Sequence, residues 1–503
     1  MEIEAKNAIL RGISECAPEN GAGEDEPQET ILQNFLPLRS YGKLADPKVF
    51  LITGGRGSGK SELFRVLTSC SGLEHVISDK DRKRYTGLKK GEFLVGYIAT
   101  GAESKAFPSQ GICDELLKKE KPERLASFWG GLVCAVLLRR FADDMDVKEL
   151  ADRYFGSKLR EELQNHGSEV SRWWKEMDAQ REKWESFLDK ADDCLGKKGK
   201  SVSIVYDELD RICSSYGDLF SYIRSLLDFW FQHNNRLANI KTKIFLRSDL
   251  YKAKALQFVD ASKMRAYHLE LSWDTLSLYR LLVKRMANAG IERLTVYLQE
   301  VPGLLSGEKD SAIGYLPGNS EAAYECLVEK MIGKYMGKVP KRGVSYAWVP
   351  NHIQDANGQV APRPFLKCFV LAAKAMLEHA DDIAALEADR ILAPSRLQGA
   401  LGEVSIDRVR ELVNEEYRWL QNLINRLKGK EMLMEREEFL DYLSPEHWQE
   451  DRDRLPGKNS FEILQALLEL GIVMQSPDGR INVPELYLYG FGLKRKGGIK
   501  RPK

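Results

Sequence analysis

Three things are scarce in this sequence. Its eight cysteines are scattered with no C-x-x-C pair, and its seven histidines follow no ligand spacing. That argues against a zinc site and against a disulfide framework, and it points to reduced thiols in a cytoplasmic protein. Charge of one sign is also missing: 75 Lys and Arg face 74 Asp and Glu, so any basic surface must be local. Long apolar runs are absent too. The longest, FWGGLVCAVLL at 128–138, stops at Arg139-Arg140 and is too short to cross a bilayer, so a buried helix and no membrane partner are expected. The acidic start (Glu2, Glu4) is unlike a secretory signal. A chain of 503 residues is too long for one core and predicts two to four domains, with no long internal repeat among them.

What is present begins with KVFLITGGRGSGKSELFRVL, residues 48–67. A β-rich run meets the pattern G-x-x-x-x-G-K-[ST] from Gly54 to Ser61, and an apolar helical pattern follows. Glycines 54, 55, 57 and 59 let backbone close around phosphate oxygens, and the N–H groups of the loop and first helical turn face the anion. Lys60 would reach the β- and γ-phosphates, and the Ser61 hydroxyl would bind Mg²⁺. The candidate nucleotide-binding set is Gly54, Gly55, Arg56, Gly57, Ser58, Gly59, Lys60, Ser61 and Glu62. The ligand this implies is a nucleoside triphosphate with its magnesium.

Residues 17–30, APENGAGEDEPQET, are acidic and poor in large apolar side chains. They predict a flexible N-terminus over 1–30, with order beginning near Ile31. Strand patterns at 48–53, 92–99, 201–206, 241–247 and 266–272 alternate with helical ones. The predicted fold is α/β, a mainly parallel sheet with helices on both faces over 31–274. A charged helical insertion occupies about 112–200. In it Trp173, Met177, Trp184, Leu188, Ala191 and Leu195 read as one stripe on one helix, for packing or for a partner. Residues 275–430 read as an all-α lid. Residues 431–503 read as a helix, a Pro-Asp-Gly turn and two short strands, which is a winged helix, ending in the basic tail KRKGGIKRPK.

Hydrolysis needs a carboxylate for the metal and a base for the water. SVSIVYDELD, 201–210, supplies both at a strand end: Asp207 as Mg²⁺ ligand and Glu208 as general base. The strand KTKIFLR, expected between the first strand and the acidic one, would bring Arg247 near the γ-phosphate; a surface arginine capping a strand is the other reading. Arg265, before the last strand, stands where an arginine finger into a neighbouring subunit would lie. Arg363, in APRPFLKCF at a helix start, either folds over the nucleotide or is simply solvated. No N/T-K-x-D motif is evident, which favours ATP over GTP.

GGRGSGKS and the IVYDE strand end together resemble P-loop ATPases of the additional-strand catalytic-glutamate class. Within that class the chain looks like the AAA+ and STAND-related bacterial ATPases, initiator and origin-recognition ATPases included. The resemblance implies an ATPase core with a helical lid and a C-terminal winged helix. FLRSD is similar to the arginine-bearing sensor strand of STAND proteins, and PRPFL to the Pro-Arg element after the lid. The interval from Lys60 to Asp207 is longer than the family pattern, and a clear finger motif is lacking. Such relatives are frequent in phage-defence loci, so the resemblance extends to antiviral defence, homo-oligomers and a nuclease or toxin-like effector partner. DNA would be met through the winged helix and its basic tail. The candidate recognition helix, 461–470, carries no basic residue, which speaks against base readout. Two functions stand at this point: a Mg²⁺-dependent ATPase that controls a partner, and a nucleotide-gated DNA-binding scaffold with little turnover.

Overall fold

The computed structural model describes residues 1–17, 27–70, 72–77, 81, 91–252, 264–387, 389–448, 452 and 455–495. They divide into two compact units. One runs from Pro37 to Leu271 with Glu24–Ile31; the other joins Met1–Gly23, Leu32–Leu36 and Ser272–Lys503.

The first unit is built on five strands: β1 (Leu51–Gly54), β2 (Gly91–Tyr97), β3 (Ser201–Tyr206), β4 (Ile240–Arg247) and β5 (His268–Leu271). Their order is β2-β3-β4-β1-β5, all parallel, with β4 between β1 and the acidic strand β3 as expected. Five of the six β3 residues, all but Ser201, are buried, as a strand covered on both faces requires. Three backbone N–H groups where the chain enters β4 (Ala238, Asn239, Ile240) donate to the buried Asp192 carboxylate at 2.7–2.9 Å.

The long interval before Asp207 is a helical layer. The apolar run at 128–138 lies in the helix Pro122–Arg140 and is buried throughout. Gly130 and Gly131 leave room there for the rings of Trp184 and Trp173, which press against the helix backbone. The six-residue stripe is divided between two helices, Val170–Ala179 and Arg181–Lys197, because Gln180 leaves helical geometry. All six side chains are buried in the core of this unit.

The second unit departs from two expectations. Residues 3–14, assigned to a flexible N-terminus, form a helix (Ile3–Ser14). Its Ile9, Leu10 and Ile13 are buried, and it packs on the helices Glu292–Gln299 and Pro362–Leu377. The acidic composition that suggested flexibility is confined to a segment whose residues 18–26 lie outside the described residues. The stretch 275–430 is not all helix: β6 (Leu305–Asp310) and β7 (Gly314–Pro317) form an antiparallel hairpin that packs on the helix Thr275–Ala287. The glycines and turn residues that favour this hairpin were masked by the helical periodicity around it.

The C-terminal part has β8 (Glu431–Met432), helices Arg436–Tyr442 and Ser460–Glu469, and a two-stranded wing. The wing is β9 (Met474–Gln475) against β10 (Ile481–Asn482), and β11 (Lys494–Arg495) returns to β8. Phe461, Glu462, Gln465 and Glu469 are the exposed side chains of the helix Ser460–Glu469. Of the basic tail, 496–503 lie outside the described residues. Among the described residues no helix is long and apolar enough to cross a membrane.

A methyl added at Gly131 would lie 2.3 Å from the Trp173 ring, which is fully buried and stacked on Phe128. Gly131→Ala is therefore expected to cost about 1–3 kcal/mol, read as a lower urea midpoint with an unchanged slope.

Candidate nucleotide site

β1 delivers the chain to Gly54, where a Cβ would meet the Ser58 hydroxyl at 2.3 Å. Gly57 and Gly59 hold φ of +73° and +91°, a region that side chains disfavour. Only glycine at these places lets the loop fold back over the end of β1. The helix Lys60–Arg65 follows directly.

Lys60 turns into the loop, and its Nζ donates to the Gly54 and Gly55 carbonyls at 3.0 Å each. Burial lowers its pKa; the Asp207 charge opposes that shift and the Arg247 charge adds to it. Asp207, at the end of β3, is buried. Its pKa is pushed up to about 6 by burial, against the backbone N–H of Glu208, the Lys60 charge and the Ser61 hydroxyl. Its Oδ2 has no hydrogen-bond partner among the described residues. Lys60, Ser61 and Asp207, 147 positions apart at the extremes, thus meet at one point.

Arg247 is the register partner of Gly54 across β4 and β1, which puts it beside the loop. It is nearly buried and grips two carboxylates, Asp249 at 2.8 and 3.1 Å and Asp210 at 3.3 Å. Neither acid was singled out from sequence, although both lie within three residues of a residue that was. Glu208 has left-handed backbone, φ +53°. Its carboxylate accepts hydrogen bonds from the backbone N–H groups of Ala99 and Thr100 at 3.2 and 2.9 Å and from the Thr100 hydroxyl at 2.8 Å. Thr100 follows β2 and has no motif of its own, so sequence reading passed over it.

The other candidates are placed as follows. Arg56 is half-buried in the loop, and Glu62 sits in the first helical turn, where its charge is felt by the buried Tyr41. Arg265 is exposed in a short 3₁₀ turn, Arg265–Tyr267, just before β5. Arg363 belongs to the second unit, in the first turn of Pro362–Leu377, and donates to Glu411 at 3.3 Å. Seven cysteines with described side chains are free thiols, Cys16, Cys113, Cys134, Cys194, Cys213, Cys326 and Cys368. A cluster of Asp144, Asp146 and Cys194 has ligand-type atoms, but the Lys198 ammonium already binds both acids.

A parallel sheet in this order, a glycine loop closing on Lys60 at the end of β1 and a buried acid at the end of β3 define a P-loop ATPase core. Residues 23–246 match the ORC-CDC6-like family, which supports the resemblance to AAA+ ATPases. Two solved structures are similar to the chain. One is the Aeropyrum pernix ORC2 protein in its ADPNP–ADP complexes, 10% identical over 92% of this chain and 94% of that one, with a TM-score of 0.37. The other is the Walker-type ATPase paby2304 of Pyrococcus abyssi, 13% identical over 91% and 99%, with a TM-score of 0.34. No curated protein matches the sequence.

The raised pKa of Asp207 has a consequence for the nucleotide-free protein. The unfolded carboxyl ionises near its ordinary 3.8 and the folded one near 6, so folded protein holds the extra proton between those values. Stability from this group is complete below about pH 4 and lost as pH rises through about 6. Asp207→Asn is expected to stabilise the nucleotide-free protein by about 1–3 kcal/mol at pH 7.5 and not at pH 4. Melting curves at the two pH values check this; an equal effect at both would contradict it.

Proposed function

We propose that the protein is a magnesium-dependent ATPase whose nucleotide state controls a partner. The observation that carries this reading is the unpartnered Oδ2 of buried Asp207 beside the Ser61 hydroxyl and the Lys60 ammonium. A buried carboxylate oxygen next to a hydroxyl fits a hard cation, which prefers oxygen ligands. Ser61 and Asp207 would hold magnesium, and the ion would supply neutralisation of phosphate charge.

The remaining work falls to the chain itself. Lys60 would exchange its two carbonyl partners for the β- and γ-phosphate oxygens. Backbone N–H groups from Gly55 to Ser61 would bind the rest of the anion. Glu208 would orient water and take its proton once it turns away from Thr100. Arg247 would meet the γ-phosphate by releasing one of its two acids. Arg265 in a neighbouring copy would complete the charge around the nucleotide. ATP and ADP would then differ in how Glu208 and Arg247 are held, and such a two-state element can be read by a partner. The exposed Phe461 on an acidic helix face suits an effector protein better than base edges. Reduced thiols agree with a cytoplasmic setting.

Glu208→Gln is expected to cut ATP turnover by about 10²–10⁴-fold with ATP affinity retained, and Lys60→Ala to abolish both. If Glu208→Gln leaves the cellular function intact, the nucleotide-gated scaffold is the better description. Thr100→Val removes one hydrogen bond from the carboxylate and is expected to raise basal turnover about twofold or more, at unchanged ATP affinity. Steady-state phosphate release with equilibrium ATP binding measures all three.

A further inference from the structure

We infer that the ribbon of residues 334–344 in the second unit is a contact for the nucleic-acid backbone, with an apolar tip that enters a groove. The sequence around it is unusual for this chain. No Asp or Glu occurs from Lys330 to Gln354, although the chain carries 74 acids in 503 residues.

The backbone doubles back as a short antiparallel ribbon. Ser345 N–H donates to the Lys334 carbonyl at 3.0 Å, Tyr335 pairs with Val344, and Met336 N–H donates to the Gly343 carbonyl at 3.0 Å. A 3₁₀ turn, Pro340–Arg342, closes the end. The base is anchored, since Met336 and Ser345 are buried. The tip is not: Lys338, Val339, Pro340, Lys341 and Arg342 are all exposed, Val339 by 49% and Val344 by 51%.

The cations of this ribbon are free to meet an external anion. Neighbouring Lys330 and Arg390 are neutralised by Glu300 and Glu387. Among the described residues no carboxylate pairs with Lys334, Lys338, Lys341 or Arg342. Four unneutralised cations on one short ribbon repel each other, and a polyanion relieves that repulsion while releasing its own counterions.

The apolar tip distinguishes nucleic acid from an acidic protein. Proline and aliphatic side chains flanked by Lys and Arg, on a two-stranded ribbon, have the width and chemistry for a DNA groove, where cations reach phosphates and the apolar tip abuts base steps. Phosphate contact of this kind is independent of sequence, as lysine-rich contacts are. The inference does not depend on the nucleotide chemistry, because no residue of the ribbon belongs to that site.

The test is duplex DNA binding by the full chain, by fluorescence anisotropy across salt concentrations, with ATP and with ADP. Lys338→Ala, Lys341→Ala and Arg342→Ala together are expected to weaken binding tenfold or more near physiological salt. They should also reduce the slope of log affinity against log salt by about 2–3, nearly one per lost phosphate contact. ATP turnover and melting temperature should not change, which excludes misfolding. Pro340→Ala should reduce DNA bending, read by end-to-end energy transfer, more than it reduces affinity. The inference is overturned if the triple variant keeps wild-type affinity and slope, or if the wild type binds no duplex. It is also overturned if polyglutamate is held as tightly as DNA. Loss of binding in Lys500→Ala with Arg501→Ala, and none in the ribbon variant, would assign the contact to the C-terminal tail instead.

Discussion

The first unit is arranged around one unfavourable placement, a carboxylate driven into the protein beneath a glycine loop. Asp207 is buried, and burial raises its pKa in spite of the Lys60 charge and the Ser61 hydroxyl beside it. Burial of a half-satisfied acid is destabilising unless something enters to complete it. The rest of the sheet makes that placement possible. β3 is buried up to its last residue, β4 separates it from β1, and the loop after β1 folds back so that Lys60 and Ser61 reach the same point. The helical layer behind β3, with Trp173 and Trp184 against Gly131 and Gly130, supplies the packing that offsets the cost.

The basic groups of this site are held by protein acceptors. Lys60 binds two loop carbonyls, and Arg247 binds Asp249 and Asp210. Glu208 is likewise satisfied by Thr100 and Ala99. Each of these contacts must be exchanged for the proposed ligand, so nucleotide entry is a change of partners rather than the filling of a gap. That is the physical basis on which two nucleotide states can differ in structure, because one set of hydrogen bonds excludes the other.

Much of the core was legible because it is written locally. The β-rich run, the glycines and Lys60-Ser61 are contiguous, and SVSIVYDE declares both a buried strand and the acids at its end. The place of β4 between β1 and β3 was expected, and the sheet order and the register of Gly54 against Arg247 agree with it. The reading failed where meaning depends on distant partners. Thr100 is an ordinary residue until β2 and β3 pair and bring it to Glu208. Asp210 and Asp249 acquire a role only through Arg247. The stripe through Trp173 and Trp184 kept its period across Gln180, so pattern alone did not reveal the break. The helix Ile3–Ser14 was hidden by composition downstream of it, and its apolar face is explained by the helices it packs on, hundreds of residues later.

Charge balance argues that a divalent cation matters for nucleotide binding itself. Three acids, Asp207, Asp210 and Asp249, and one further cation, Arg247, act on Lys60. Together these groups carry no net positive charge, so a bare triphosphate would add to the negative charge of Asp207, which the Lys60 ammonium only partly offsets. Neutralising Asp207 by protonation succeeds only below about pH 6. At neutral pH the proposed divalent ion on Asp207 and Ser61 would reverse the balance, and would leave Lys60 and Arg247 for the phosphates. The same reasoning sets the order of events: the ion and the triphosphate are each disfavoured alone in a buried site and favoured together. Binding should therefore be cooperative between them, and the glycine loop serves to bring backbone N–H groups close enough to complete the pair.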